Sequence, residues 1–319
     1  MREPPRTWKV QAAAAFSTLA VLLVSVGALM PFVPSETVFG PVARLSDSLS
    51  PQILLLSLAC SLLAVGLGMR RIGGVLAVLA LAAGGQQFWA HHHISLPLAP
   101  EETADVRLLF LNVLEENDEN GAQIIETALG FDPDVIVFAE SMAVVDHLGP
   151  LEGRYRFLSP CDAQKCQLLV ASKVKPKRFW TLSLNPVWDD RYAVAELEAP
   201  DGTSFFLAAS HLAKPWLSGV AESELGRVIA QLNWLAGPSV VVGDFNAAPW
   251  SRPMVQLLSA TQLRTLRAPK GTWPTGAGDF GVPVDHVLVK NGARVVHVEY
   301  FGKSLGSNHR GFVADVALP

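Results

Sequence analysis

Zinc finds no ligand set of the usual spacing in this sequence. Only three cysteines occur, at 60, 161 and 166, and no further Cys or His stands at ligand spacing around the last two. Cys60 lies inside an apolar run, where a small hydrophobic residue belongs. Cys161 and Cys166 flank "DAQK"; in an oxidising compartment they suit a disulfide closing a small loop, with two separate thiols as the alternative. A basic surplus is missing as well. The 25 Lys and Arg are outnumbered by 29 Asp and Glu, and past residue 99 the counts are 19 against 26, a formal balance of −7. That argues against a strongly basic footprint for duplex DNA, and no aromatic-rich platform for single strands stands out. The chain shows no repeat and no long low-complexity tract.

What the chain has instead is long uncharged stretches near its start. Residues 10–33, 51–69 and 72–90 carry no Asp, Glu, Lys or Arg, and each is near the roughly 20 residues that span a bilayer core. Three transmembrane helices are expected. The first run is long for the apolar part of a cleaved signal peptide, and Met30-Pro31 is a poor cleavage context. Basic residues set the orientation: Arg2, Arg6 and Lys9 precede the first run, and Arg70 and Arg71 stand between the second and third. The first loop offers only Arg44, against Glu36 and Asp47. By the positive-inside rule the tail and second loop face the cytoplasm, so three crossings leave everything after about residue 90 outside. The expected layout is a membrane region at 1–90, a linker at 91–105 and a folded domain at 106–319. The location is an inner-membrane, multi-pass protein with an extracytoplasmic, periplasmic domain. His91, His92 and His93 in the linker read as an interfacial polar run, because consecutive side chains point different ways.

Beyond the linker, strand-like and helix-like segments alternate. "RLLFLN" ends on Asn112, "PDVIVFAE" on Glu140, "SFFLAASH" on His211, and "SVVVGDFN" on Asp244 and Asn246. Asp285 and His309 stand just before apolar runs. "GAQIIETALG" (121–130) and "ESELGRVIAQLNWLAG" (222–237) have helical spacing, while "RYAVAELEA" (191–199) alternates like a strand with one wet face. In a layered α/β domain, functional groups gather where loops leave one sheet edge. Any one of these polar ends reads most simply as a turn former or a satisfied histidine. Six together suit divalent-metal phosphate chemistry.

In this order, "LN" (111–112), "PDVIVFAE", "SH" (210–211), "GDFN" (243–246), "VDHVLV" (284–289) and "SNHR" (307–310) resemble the endonuclease/exonuclease/phosphatase superfamily, also called DNase I-like, and in particular its bacterial membrane-attached members. The resemblance covers roughly residues 105–319. It implies a four-layer α/β sandwich, two mixed β-sheets face to face with helices outside, here preceded by the three transmembrane helices. It also implies metal-dependent hydrolysis of phosphate esters with Mg2+, or Mn2+.

By position, Glu140 resembles the main metal-ligand carboxylate and Asn112 the amide beside metal or phosphate oxygen. Asp244 resembles the residue that positions or deprotonates the attacking water, and Asn246 the amide on the phosphoryl oxygens. His309 resembles the catalytic histidine held by Asp285, and His211 a second histidine serving the leaving group. Most members read Ser-Asp-His where this chain has Ser307-Asn308-His309, so Asn308 keeps an oxygen donor near the metal but drops a charge. Outside the resemblance, Arg191 is a candidate phosphate fork, with an ordinary surface arginine as the alternative. Trp273 in "GTWPTG" either shapes the substrate pocket or is a buried turn aromatic. "KVKPKR" (173–178) reads as a solvated loop, with a patch for lipid phosphates or nucleic acid as the alternative.

The function implied is a membrane-anchored, metal-dependent phosphoesterase acting on a lipid, sugar phosphate or other ester. The alternatives are an extracytoplasmic nuclease on DNA or RNA, and a binding or scaffold protein on a decayed form of the fold. The lipid bilayer and the substrate are the expected partners; no protein partner is readable.

Overall fold

The computed structural model describes residues 7–34, 37–161 and 165–319. Arg2, Arg6 and Glu36, which bear on orientation, lie outside the described residues. The chain divides into two compact units, residues 1–93 with Trp250–Arg252, and Ile94–Pro249 with Pro253–Pro319.

The first unit is helical. Trp8–Phe32 and Arg70–Ile94 are each long and apolar enough to cross a membrane. The second apolar run behaves differently. Its helix, Ser50–Gly66, has 17 residues, about 25 Å at 1.5 Å per residue, against a bilayer core of about 30 Å. It follows a short helix, Gly40–Ser48, bent from it by 75°. The unit therefore holds two candidate spans, or three if the bent pair counts as one. Ala20, Val24, Leu54, Cys60, Leu76 and Ala80 form its buried apolar cluster, and the Ser57 hydroxyl donates to the Ala20 carbonyl at 3.0 Å. Small residues at such contacts let helices approach closely. The last helix includes His91–His93, so the expected linker begins inside a helix.

The second unit is built on two mixed sheets. One has six strands, in spatial order Arg294–Phe301, Gly311–Ala317, Val106–Asn112, Val135–Ala139, Leu168–Ser172 and Phe157–Leu158. The other has five, Asp285–Lys290, Ser239–Asp244, Ser204–His211, Tyr192–Glu198 and Arg178–Leu182. In each sheet one adjacent pair is parallel, Val106–Asn112 with Val135–Ala139 and Ser204–His211 with Ser239–Asp244, and the rest are antiparallel.

The period of two along a strand explains the layers. Leu108, Phe110, Val135 and Val137 from one sheet meet Ala195, Leu207, Val240, Val242 and Val287 from the other in a central core. The alternate residues Leu109, Leu111, Ile136 and Phe138 pack with Ile124, Ile125 and Ala128 of the helix Gly121–Gly130. On the opposite outer face, Val194, Ala208, Val241 and Leu288 pack with Leu225, Val228 and Leu232 of Val220–Asn233 and with Met254, Leu257 and Leu258 of Arg252–Thr261. The outward face of Tyr192–Glu198 is wet only at its far end, where Glu196 and Glu198 pair with Arg178 and Lys177. Tyr192 and Val194 pack outward into one apolar cluster and Ala193, Ala195 and Leu197 inward into another.

Candidate active site

The same alternation delivers the polar ends of the strands to one place. Asn112, His211, Asp244 and Asp285 each continue the inward-facing set of their strand, so all four point between the sheets. Register brings three of them level: Asp244 is paired with His211 on one side and with Asp285 on the other. Gly243 permits this close packing, since a Cβ there would stand 2.0 Å from the Ser210 carbonyl oxygen.

Glu140 needs a different device. Ile136 and Phe138 face outward, and simple continuation would send residue 140 out with them. Instead Glu140 is left-handed, with φ +50°, a conformation that costs energy outside glycine. Its carboxylate stays at the rim, accepting from Asn112 Nδ2 at 3.3 Å and from the Glu115 N–H at 3.2 Å. Asn246 is likewise left-handed, at φ +50°, which asparagine tolerates better. Its N–H donates to Asp244 Oδ1 at 2.8 Å, and its side-chain amide donates to the Leu212 carbonyl at 2.9 Å.

Across the gap between the sheets, Asn112 Nδ2 also donates to Asp244 Oδ2 at 3.0 Å. His309 closes the cluster: its Nδ1 hydrogen-bonds Asp285 Oδ2 at 2.9 Å, and its Nε2 lies 3.8 Å from Asp244 Oδ2. Asp244, Asp285 and His309 are all buried, with one potential donor atom each within 4.8 Å of the others, a grouping that could hold a metal ion. Asp285 Oδ1 is buried without a hydrogen-bond partner.

Two buried carboxylates directly opposite each other repel. Burial pushes the Asp244 carboxyl up to about 7, with the Asp285 charge adding to the effect. Burial alone would lower His309, but the carboxylates of Asp285 and Asp244 outweigh it and push it up to about 9. His211 goes the other way. Burial and the neighbouring Arg191 guanidinium hold it well below the usual histidine range. It is therefore neutral at pH 7, with Nε2 3.5 Å from Glu140 Oε1. This argues against His211 as the donor of a proton to a leaving group.

Arg191 is not a surface arginine. It is buried, donates to the His211 ring with Nη2 2.6 Å from Nε2, lies 4.8 Å from the centre of the Trp188 ring, and leaves its buried Nε without a partner. Trp273 is not a buried turn aromatic either, being 37% exposed. Asn308 is exposed and makes no side-chain hydrogen bond to the cluster; its backbone carbonyl accepts from the Thr275 N–H at 2.9 Å. An open groove of about 530 Å³ beside it is lined by Pro274, Thr275, Gly276, Lys303 and Asn308.

Supporting residues escaped the sequence reading. Ser307 Oγ donates to the Asn112 carbonyl at 2.7 Å and accepts from the His309 N–H at 3.0 Å, tying the histidine to the neighbouring strand. Thr272 Oγ1 accepts from the Asp285 N–H at 3.2 Å. His286, facing outward, has its Nε2 2.9 Å from the Ala247 carbonyl and so braces the turn after Asp244. Only its place in "VDHVLV", beside Asp285 and on the other face, hinted at this. Away from the site, Cys161 and Cys166 are joined as a disulfide, their α carbons 5.1 Å apart. The "KVKPKR" cluster spends its charge locally: Lys173 pairs with Asp132 at 2.9 Å, Lys177 with Glu198, and Arg178 with Glu196 at 2.5 Å.

Residues 109–309 match the Endonuclease/Exonuclease/phosphatase family. Among solved structures, the chain is similar to the human Nocturnin catalytic domain with bound sulfate (TM-score 0.54, 18% identity, covering 70% of this chain and 97% of that one). It is also similar to D. rerio TDP2 complexed with a single-strand DNA product (0.52, 17%, 66% and 98%). A third likeness is to an endonuclease/exonuclease/phosphatase from Beutenbergia cavernae (0.52, 17%, 68% and 72%). At these identities the likeness is one of fold. No curated protein matches the chain.

Proposed function

Since the chain belongs to the endonuclease/exonuclease/phosphatase family, we propose that it is a membrane-anchored phosphoesterase that uses a divalent cation, magnesium or manganese. One observation carries this reading: Asn112 of one sheet bridges Glu140 and Asp244 Oδ2, while His309, paired to Asp285, brings its Nε2 to 3.8 Å from that same oxygen.

The donor set fits a hard cation, which prefers carboxylate and carbonyl oxygens and keeps several waters. Glu140 and Asp244 are assigned to hold it, with Asn112 alongside, and Asp285 and His309 are kept as a proton-donating pair. When bound, the cation would polarise the phosphate and favour ionisation of water. In this reading Asp244 orients the attacking water and accepts its proton. The water oxygen forms the new P–O bond, the ester P–O bond breaks, and the leaving oxygen takes the Nε2 proton of His309. Asp285, at Nδ1, fixes the ring and favours its charged form. In this reading Asn246 and Arg191 are assigned to the phosphoryl oxygens.

Protonation gives the reaction a pH dependence. Asp244 must be ionised; burial pushes it up to about 7 without metal, and a cation held beside it would keep it ionised below that pH. His309 must keep its proton, so activity falls as pH passes about 9. A kcat/KM profile measured on the magnesium-supplemented protein should therefore hold through neutral pH and fall on the alkaline side. A profile flat above pH 9 would remove His309 from the role of acid.

The three-span reading puts the domain outside the cytoplasm, on the strength of Lys9, Arg70 and Arg71. Only two crossings would return it to the side of the N-terminal tail, so the bent pair decides the matter. A phosphatase reporter active only in the periplasm, fused after Pro319, is expected to be active. An inactive fusion, with a cytoplasmic reporter active at the same position, would reverse the topology.

The nuclease reading shares this chemistry, but the acidic balance of the domain and the internally paired "KVKPKR" cluster favour a smaller or lipid-borne ester. A panel of phosphate monoesters, diesters, lipids and plasmid DNA, with magnesium, tests the proposal. Release of phosphate or alcohol from an ester supports it, nicking of DNA alone favours the nuclease, and inertness toward all favours the scaffold reading.

A further inference from the structure

Four of the eight tryptophans, Trp188, Trp216, Trp250 and Trp273, stand beside or within two residues of a proline in "NPVW", "KPW", "APW" and "TWP". Three of these motifs lie on loops that leave the two sheets at the catalytic rim. Residues 183–191 precede Tyr192, which pairs with Ser210; residues 212–219 follow His211; and residues 267–284 precede Asp285. Their apolar side chains face water. Phe280 is 90% exposed, Val187 67% and Trp216 50%. Among the described residues of this domain, the other large apolar groups so exposed are Leu98, Val174, Trp234 and Trp273, and the last of these is on the rim as well.

Burying such side chains is worth about 1.5–3 kcal/mol each, so several of them exposed on loops that adjoin one set of strand ends mark a contact surface there. Proline limits the loops' freedom and lowers the cost of holding the side chains out. Cations are interleaved: Lys214 Nζ lies 5.9 Å from the centre of the Trp216 ring, and Lys303 lines the groove beside Asn308. Aromatic and apolar tips with lysines among them match a bilayer interface carrying anionic headgroups.

We propose that the substrate is a phosphate ester carried on a lipid, and that Val187, Trp216 and Phe280 enter the acyl-headgroup boundary while Lys214 and Lys303 meet its phosphates. The inference rests on the phosphoesterase reading above and specifies its substrate. Two observations favour a lipid over a nucleic acid strand. Phe280 and Val187 stand exposed on loops rather than along a basic groove, and the chain brings its own apolar helices. A lipid in the same membrane is thereby presented at high effective concentration.

The test uses the full chain reconstituted with magnesium in phosphatidylcholine vesicles doped with phosphatidic acid or phosphatidylglycerol. The soluble counterparts are glycerol 3-phosphate and glycerophosphoglycerol. The double variant Val187→Ser/Phe280→Ser is expected to lose at least about tenfold in turnover of vesicle lipid, the equivalent of about 1.4 kcal/mol, and to stay within about twofold on the soluble ester. Equal losses on both, no loss on vesicles, or hydrolysis confined to single-stranded oligonucleotide or sugar phosphate would overturn the proposal. A second measurement does not depend on turnover. In vesicles with brominated acyl chains, the emission removed by Trp216→Phe should be quenched, and unquenched Trp216 emission would sink lipid contact even if the enzyme hydrolyses esters. A wild type inert toward every ester but quenched at Trp216 would instead fault the phosphoesterase reading.

Discussion

Replacing His309 with alanine should lower kcat by about three orders of magnitude, within the range expected for losing a general acid together with a charge at the reacting phosphate. The size of the effect follows from the surroundings of the ring. It is buried, its Nδ1 is engaged with Asp285 at 2.9 Å, and two carboxylates push its pKa up to about 9, so at pH 7 it is a fixed cation aimed at the site. Asp285→Asn should reproduce much of the loss and shift the alkaline limb of the pH profile downward, because the carboxylate that favours the imidazolium is gone. Both effects should be accompanied by an unchanged circular dichroism spectrum, since His309 lies in a loop tied independently by Ser307. A His309→Ala protein with near-normal turnover would show that proton delivery comes from elsewhere.

Glu140→Gln should be nearly as damaging, but through the metal. The variant keeps the shape of the side chain but only one acceptor oxygen, so it can hold the bond from Asn112 Nδ2 or the one from Glu115 N–H but not both, and it removes a charge that magnesium demands. Turnover at fixed magnesium should fall by about two orders of magnitude, and the magnesium concentration for half-maximal rate should rise by at least about tenfold. Chelation of the wild type should abolish activity, and magnesium should restore it. The outcome also separates two placements of the ion. If Asp244, Asp285 and His309 hold it, Glu140→Gln leaves the magnesium requirement where it was, and His309→Ala moves it instead.

The apolar runs were legible because their information is local. A span needs only length and apolarity, and "VIVFA" or "VVVGD" needs only a run of β-branched residues bounded by polar ones. The helix Gly121–Gly130 coincides with the stretch of helical spacing. Less was readable where a segment's neighbour decides its environment. "RYAVAELEA" alternates, yet the first half of its outward face is covered because Tyr192 and Val194 join an apolar cluster there, and only Glu196 and Glu198 are left to water. The 51–69 run is apolar throughout, yet its helix ends at Gly66.

The site divides along the same line. The residue types and their order, strand ends carrying Asn112, Glu140, His211 and Asp244 with Asp285 and His309 later, are properties of the chain read end to end. They sufficed to point to phosphate chemistry. Tertiary structure alone decided that Asp285 sits opposite Asp244, that His211 is buried beside Arg191, that Glu140 turns left-handed to stay at the rim, and that Asn308 faces solvent while Val187, Trp216 and Phe280 stand exposed on loops next to the strands of the site. The reason is physical. Strand alternation is set by each residue's immediate neighbours in the chain, whereas pairing register, burial and charge coupling depend on which distant segments meet, and a shift of one residue would send every one of these groups to the opposite face.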